Sequence, residues 1–254
     1  MKTHKILILL FFIPFLFAAC NDLDNSNGTS KIRFALTDAP GDYQEVNIDV
    51  QSIKVIINDS IIDLATNQGI YNILEFVNGK DTLLVTDDIP TGHLSQVRLI
   101  LGENNKVMAD SILYDLKTPS AQQSGLKFNV HEDILPGISY TYIIDFEAAK
   151  SIVKTGKGKY LLKPVIRVFS QAISGSIEGV VQPPEAKPLV QVIGSGDTTS
   201  TYTDTITGQY MIRGLPAGYF NLEFHPDSGF ADTTLVDIEV FEGQTTVLDT
   251  LWFQ

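Results

Sequence analysis

Few side chains in this chain are of types that do chemistry. Cys20 is the only cysteine among 254 residues, so its thiol has no disulfide partner in the chain and is open to modification. Asp38 and Asp42 flank a Pro40-Gly41 turn, and two carboxylates beside turn carbonyls can hold calcium. They lack the ligand density of a calcium loop, and Asp bonding its own backbone to close such a turn is the favoured role. Tyr210, Tyr219 and Trp252, with Tyr43 and Tyr202, are the rings on which the CH groups of a sugar could stack. Tyr210 and Tyr219 also lie in alternating runs, where packing in a core is favoured. Lys150, Lys154, Lys157, Lys159 and Lys163 surround Gly156 and Gly158. That cluster lacks the spacing and the Ser/Thr of a phosphate loop, and lysines closing a helix satisfy its dipole.

Catalytic signatures are missing. His93, His131 and His225 stand singly, without the spacing zinc requires. There is no nucleophile elbow, Walker loop or dinucleotide fingerprint. Carboxylates are plentiful, and a glycosidase pair is defined by a separation that sequence does not display. The expectation is therefore no catalytic residues and no cofactor, with calcium at Asp38 and Asp42 left open and hydrolysis ranked last among functions.

The N-terminus places Cys20. Lys2 and Lys5 precede an apolar run, Ile6 to Phe17, too short to span a bilayer comfortably, and Ala18 and Ala19 offer little bulk to a peptidase. Leu16-Phe17-Ala18-Ala19-Cys20 resembles the lipobox of bacterial lipoproteins, with Phe17 where Leu is usual. The resemblance implies a signal peptide over residues 1–19 and a diacylglycerol thioether on Cys20. Residues 20–30 (CNDLDNSNGTS) are polar and read as a flexible tether. Asp22 and Asp24 resemble surface-export signals of Bacteroides-type lipoproteins, and a plain solvated linker reads equally well. The expected address is the outer membrane, surface-exposed or facing the periplasm.

Net charge is −12. Removing Lys2 and Lys5 with a signal peptide leaves 16 basic against 30 acidic residues, a net of −14. That balance argues against nucleic acid or an anionic membrane surface as a partner.

Residues 31–171 read as a β-sandwich with one short helix. Ile32, Phe34 and Leu36 alternate with polar residues. Val46, Ile48 and Val50 alternate in one phase and Ile53, Val55 and Ile57 in the other, which predicts one long strand bent by a bulge near Gln51-Ser52. Asn58-Asp59-Ser60 and Asn78-Gly79 predict hairpins. Asp145 to Val153 predicts the helix, with Gly156 just beyond it. LTDAPGDYQEVNIDVQSIKV (36–55), IPTGHLSQVRLIL (89–101) and IIDFEAAKSIVKTGKGKYLLKPVIRV (143–168) resemble, in order, a family of bacterial lipoprotein domains of unknown function. The resemblance implies a β-rich fold and no assigned chemistry.

Residues 172–254 alternate in about seven short strands, a count and spacing typical of a sandwich. A G-x-V strand, Asp204-x-x-x-Gly208-x-Tyr210, Leu215-Pro216-Ala217-Gly218-Tyr219-Phe220-x-Leu222 and Gly243-Gln244-Thr245-Thr246 resemble the carboxypeptidase regulatory-like domain. That family's prealbumin-like sandwich is an accessory and not a catalyst, and it overlaps the carbohydrate-binding-like folds. The function expected from all this is a lipid-anchored, non-catalytic binding or adhesion module, with a glycan as ligand. The alternative is a structural or assembly component that contacts other envelope proteins through sheet edges or loops.

Overall fold

The computed structural model describes residues 28–39, 43–118, 125–156, 158–194, 197–227 and 229–254. The described residues are mainly β, with 65% of them in strands. It builds two separate buried cores, one from Ile32 to Leu162 and the other from Ile177 to Phe253.

The first core lies between two sheets. One has the order β13-β10-β1-β5, with β1 (Thr29–Ala39), β5 (Thr82–Pro90), β10 (Ser139–Glu147) and β13 (Ile166–Ser170). β1 runs parallel to β10 and antiparallel to β5. Both central strands are covered on both faces along part of their length, so each carries a run of buried residues in place of strict alternation. Phe34 stacks on Tyr142 with ring centroids 5.4 Å apart.

The opposing sheet turns about β2 (Glu45–Ile57), which pairs with β3 (Ser60–Asp63), β4 (Gly69–Asn72), β6 (Gly92–Leu101) and β7 (Lys106–Ala109). β8 (Ile112–Lys117), β11 (Ile152–Lys154) and β12 (Tyr160–Leu162) extend it on one side and β9 (Leu126–Ile134) closes the other. The register of β2 against β6 shifts between Val50 and Ser52. The two alternation phases are thus one bulged strand, with both apolar sets directed inward.

The second core lies between two further sheets. One joins β14 (Gly175–Gln182) to β17 (Gln209–Leu215), β20 (Thr245–Val247) and β21 (Leu251–Trp252). The other has the order β16-β15-β18-β19, from β15 (Leu189–Gly194), β16 (Asp197–Tyr202), β18 (Gly218–His225) and β19 (Thr233–Val240). Strict alternation along β14 buries Ile177 and Val181 against Val190, Val192, Phe220, Leu222 and Phe224.

The Asp204-to-Tyr210 motif has a local physical basis. The Asp204 carboxylate accepts the amides of Thr207 (2.7 Å) and Ile206 (2.9 Å), and these bonds hold it below the usual carboxylate range. Gly208 closes the turn at φ +73°, and a Cβ there would lie 2.0 Å from the Val181 carbonyl oxygen. The turn delivers Tyr210 into the core, where its ring meets Phe224 edge-on at 5.6 Å.

Two expectations need correction. The helix is α1 (Ala148–Ser151) alone, because Asp145 to Glu147 belong to β10 and Ile152 to Lys154 to β11. Pairing of β10 with β13 and of β11 with β12 takes residues that local propensity would leave helical. Asn78 (φ 54°) and Gly79 (φ 83°) form a tight turn, but a 3-10 turn at Ile73–Glu75 precedes it, so no hairpin results. The hairpin at Asn58-Asp59 forms as expected, with Ile57 opposite Ser60.

Candidate binding cleft

The two sandwiches meet along a seam built on β13. Odd-numbered residues of β13 point off the core face, so Arg167 and Phe169 project toward the second sandwich while Ile166 and Val168 pack on the first core. Arg167 stands opposite Asp145 in register and donates to it through Nη2. Its Nε lies 3.8 Å from Glu147, an ion pair too long for a hydrogen bond. Glu147 also pairs with Lys150. The same guanidinium reaches across the seam to the Arg213 carbonyl at 3.2 Å, and Arg213 returns the contact to Asp81 at 3.0 Å. Gly214 sits at φ +75° directly against Phe169, where a Cβ would come within 2.5 Å of the ring.

Beside this seam a cleft of about 470 Å³ opens between the sandwiches. Its apolar walls are Phe128, Phe169, Leu215, Pro216 and Phe220, and its polar groups come from Asn129, Arg167, Thr198 and Thr199. A neighbouring hollow of about 290 Å³ shares Asn129, Val168, Phe169, Gly214 and Pro216 and adds His131, Glu132, Tyr142 and Ser170. There the Tyr142 hydroxyl donates to Glu132 at 2.6 Å. Burial first, then that bond, push the phenol far above its ordinary value, so it stays a protonated donor. The volume and the mix of apolar wall with a few polar groups suit a ligand site at a domain junction.

Four strands lining the cleft, β9, β13, β16 and β17, are edges of their sheets. Buried polar atoms without a hydrogen-bond partner also gather here. Arg167 Nε, Ser170 Oγ and Asn78 Oδ1 are three of the few such atoms among the described residues, and all three residues line the seam or its cavities. Native structures rarely leave such groups unpaired without a reason.

The residues singled out from sequence do not converge on one place. Cys20, Asp42 and Lys157 lie outside the described residues. Asp38 is buried and its Oδ1 accepts the Ala148 amide at 2.9 Å, so it ties β1 to the start of α1. Among the described residues no group of three or more His, Cys, Asp or Glu is placed to hold a metal. Tyr210 takes the core role favoured for it and not the ligand-stacking one: it is 2% exposed and offers no face to a ligand. Tyr219 (63% exposed) and Trp252 (69% exposed) do present their rings. Tyr219 donates to Glu239 near the Val240 end of the second sandwich. Trp252 pairs with Gln182 at the other end of β14, six residues beyond Ser176. At ~3.3 Å per residue the two ends are roughly 20 Å apart, so these rings form no joint platform. Arg167, Phe128 and Phe169 belong to no motif: Phe128 lies in one ordinary alternating run, and Arg167 and Phe169 share another. The one available signal was an arginine inside a five-residue apolar strand.

The model of the family described as "Domain of unknown function (DUF4382)" matches residues 29–164. The chain belongs to that family. The DUF4382 match ends at Pro164, just before β13, so the cleft is formed where the DUF4382 region meets β13 and the C-terminal sandwich. No curated protein matches the chain. Among solved structures it is similar to the Bacillus anthracis TIE protein at 11% identity and a TM-score of 0.26, covering 88% of this chain and 40% of that one. It is also similar to GBS52, the minor pilin of Streptococcus agalactiae, at 10% identity and a TM-score of 0.24, covering 87% and 94%. The fimbrial anchor protein Mfa2 of Porphyromonas gingivalis is similar at 8% identity and a TM-score of 0.19, covering 81% and 83%. The chain spans less than half the length of the TIE protein it matches. At these TM-scores the likenesses carry no argument.

Proposed function

We propose that this protein is a non-catalytic component of the cell envelope that is anchored through a lipid on Cys20 after removal of residues 1–19. In this reading it engages another envelope protein in the cleft between its sandwiches. One observation carries the choice of a protein over a glycan: the cleft is walled by four sheet edges around three phenylalanines, while the exposed aromatics suited to sugars lie at opposite ends of the second sandwich. We keep the carboxypeptidase regulatory-like assignment of residues 172–254, the domain division at 171/172 and the outer-membrane address as parts of the same proposal.

The test is photo-crosslinking in cells from Phe128 and Thr198 in the cleft, with Ile61, exposed on β3, as control. Discrete protein adducts from the cleft positions and none from Ile61 are expected. Cleft positions that give no adduct, together with a competable hit on a glycan array, would return the reading to carbohydrate binding. Metabolic labelling with palmitate, lost in Cys20→Ala, checks the anchor.

A further inference from the structure

We propose that the partner is held as an extended polypeptide segment added as a strand to the free edge of β13. This rests on the reading of the cleft as a protein-binding site and names the chemistry of its occupant.

The hydrogen-bond parity of β13 is the first support. Gln171 donates its amide to Thr141 (2.8 Å), and Glu147 donates to the Val165 carbonyl (2.9 Å). Antiparallel pairs exchange both bonds at every second residue, so odd-numbered residues from 165 to 171 face β10. The amides and carbonyls of Ile166 and Val168 therefore turn outward, at the edge of the sheet. Backbone groups at such an edge are a template for another chain. Val168 lines both cavities, so this stretch of edge opens onto the cleft.

The unpartnered side-chain atoms are an independent support. Ser170 is 5% exposed and its hydroxyl has no hydrogen-bond partner, and Arg167 Nε is buried without a hydrogen-bond acceptor, held only in the 3.8 Å ion pair with Glu147. Arg167 Nε needs an acceptor, and the serine hydroxyl can serve as donor or acceptor. A polypeptide strand supplies carbonyls and amides in alternation at the same spacing as β13 itself. Its side chains would point alternately to either face, which allows one to enter the pocket among Phe128, Phe169 and Phe220. A hydrocarbon chain would leave the polar atoms unsatisfied, and a sugar does not repeat at backbone spacing.

The experiment uses the mature chain with Cys20→Ser, panned against a displayed library of random linear decapeptides. Enriched peptides are expected to carry an aromatic or branched aliphatic residue. N-methylation of alternate amides in one parity should abolish binding, and in the other parity should leave it intact. Val168→Pro removes an outward amide without removing a bond to β10, and edge strands tolerate proline in that position. It should weaken peptide binding at least tenfold while the melting temperature stays close to that of the parent. Ser170→Ala, whose lost hydroxyl has no partner within the chain, should weaken the same peptides and serves if the proline variant fails to fold. Failure to enrich any peptide, binding indifferent to N-methylation, or full affinity in both variants overturns strand addition. If cleft positions still crosslink a protein in cells under any of those results, the proposed function stands and only the strand mode falls.

Discussion

Replacing Arg167 by Met tests the reading of the seam most directly. Methionine keeps the length of the aliphatic stem but removes the guanidinium from Asp145 and from the Arg213 carbonyl. Asp145 is 6% exposed and would be left buried without its paired cation, whereas Glu147 would retain Lys150. Removing one member of a buried ion pair costs about 3–5 kcal/mol when both partners are fully buried. The Arg167 side chain is 29% exposed, so water screens part of that loss. About 2–3 kcal/mol is the reasoned expectation. In a chain of this size each kcal/mol moves the melting temperature by about 2–4 °C, so a drop of roughly 4–12 °C should appear in differential scanning calorimetry. Adding Asp145→Asn to Arg167→Met removes the stranded charge and should recover a good part of the loss. A single variant melting within about 1 °C of the parent (against the scale above), or a double variant in which the two losses simply add, would refute the account of the seam as a buried charge pair.

Gly214→Ala should destabilise by about 2 kcal/mol, from a left-handed backbone and a Cβ driven into the Phe169 ring. Because that contact joins the sandwiches, small-angle scattering should also show a larger radius of gyration, and an unchanged profile and stability would contradict the close approach. Tyr210→Ala should cost about 3–5 kcal/mol by emptying a core site, whereas Trp252→Ala should change stability by less than about 0.5 kcal/mol. Equal effects on thermal unfolding would reverse the assignment of which ring is core. His225 is raised above its ordinary value by its bond to Asp232 (3.0 Å) and, behind that, by Glu223 (3.3 Å). A raised folded value means its stabilisation is complete below the ordinary imidazole range and is lost as pH rises through the folded value. Stability should therefore decline slightly through neutral pH, by a small amount because the pairs are solvent-screened, and His225→Gln should flatten that slope.

Much of this fold is legible in short windows of the chain. The bulge near Gln51 shows as a phase slip because side-chain direction in a strand has a period of two, and one extra residue inverts it. The turn from Asp204 to Gly208 is legible because one carboxylate and one glycine satisfy it locally. Aromatic placement is less so. Tyr210 and Trp252 both sit in strands, and core is separated from solvent by which face a second sheet covers, a decision made by residues such as Phe224 and Val190 far along the chain. The helix expected over Asp145 to Val153 shrinks to four residues for the same reason, since pairing with β13 and β12 outweighs local propensity. Arg167 is the extreme case. Its neighbours in sequence mark it only as a charge in an apolar strand, whereas its partners Asp145 and the Arg213 carbonyl come from another strand and from the other sandwich. The sequence alone determined most strands, the tight turns and the mainly β class, because alternation and turn chemistry are carried by residues a few positions apart. The cleft exists only where four sheet edges converge, and edges are defined by which strands pair across the whole chain, so tertiary structure alone decided it.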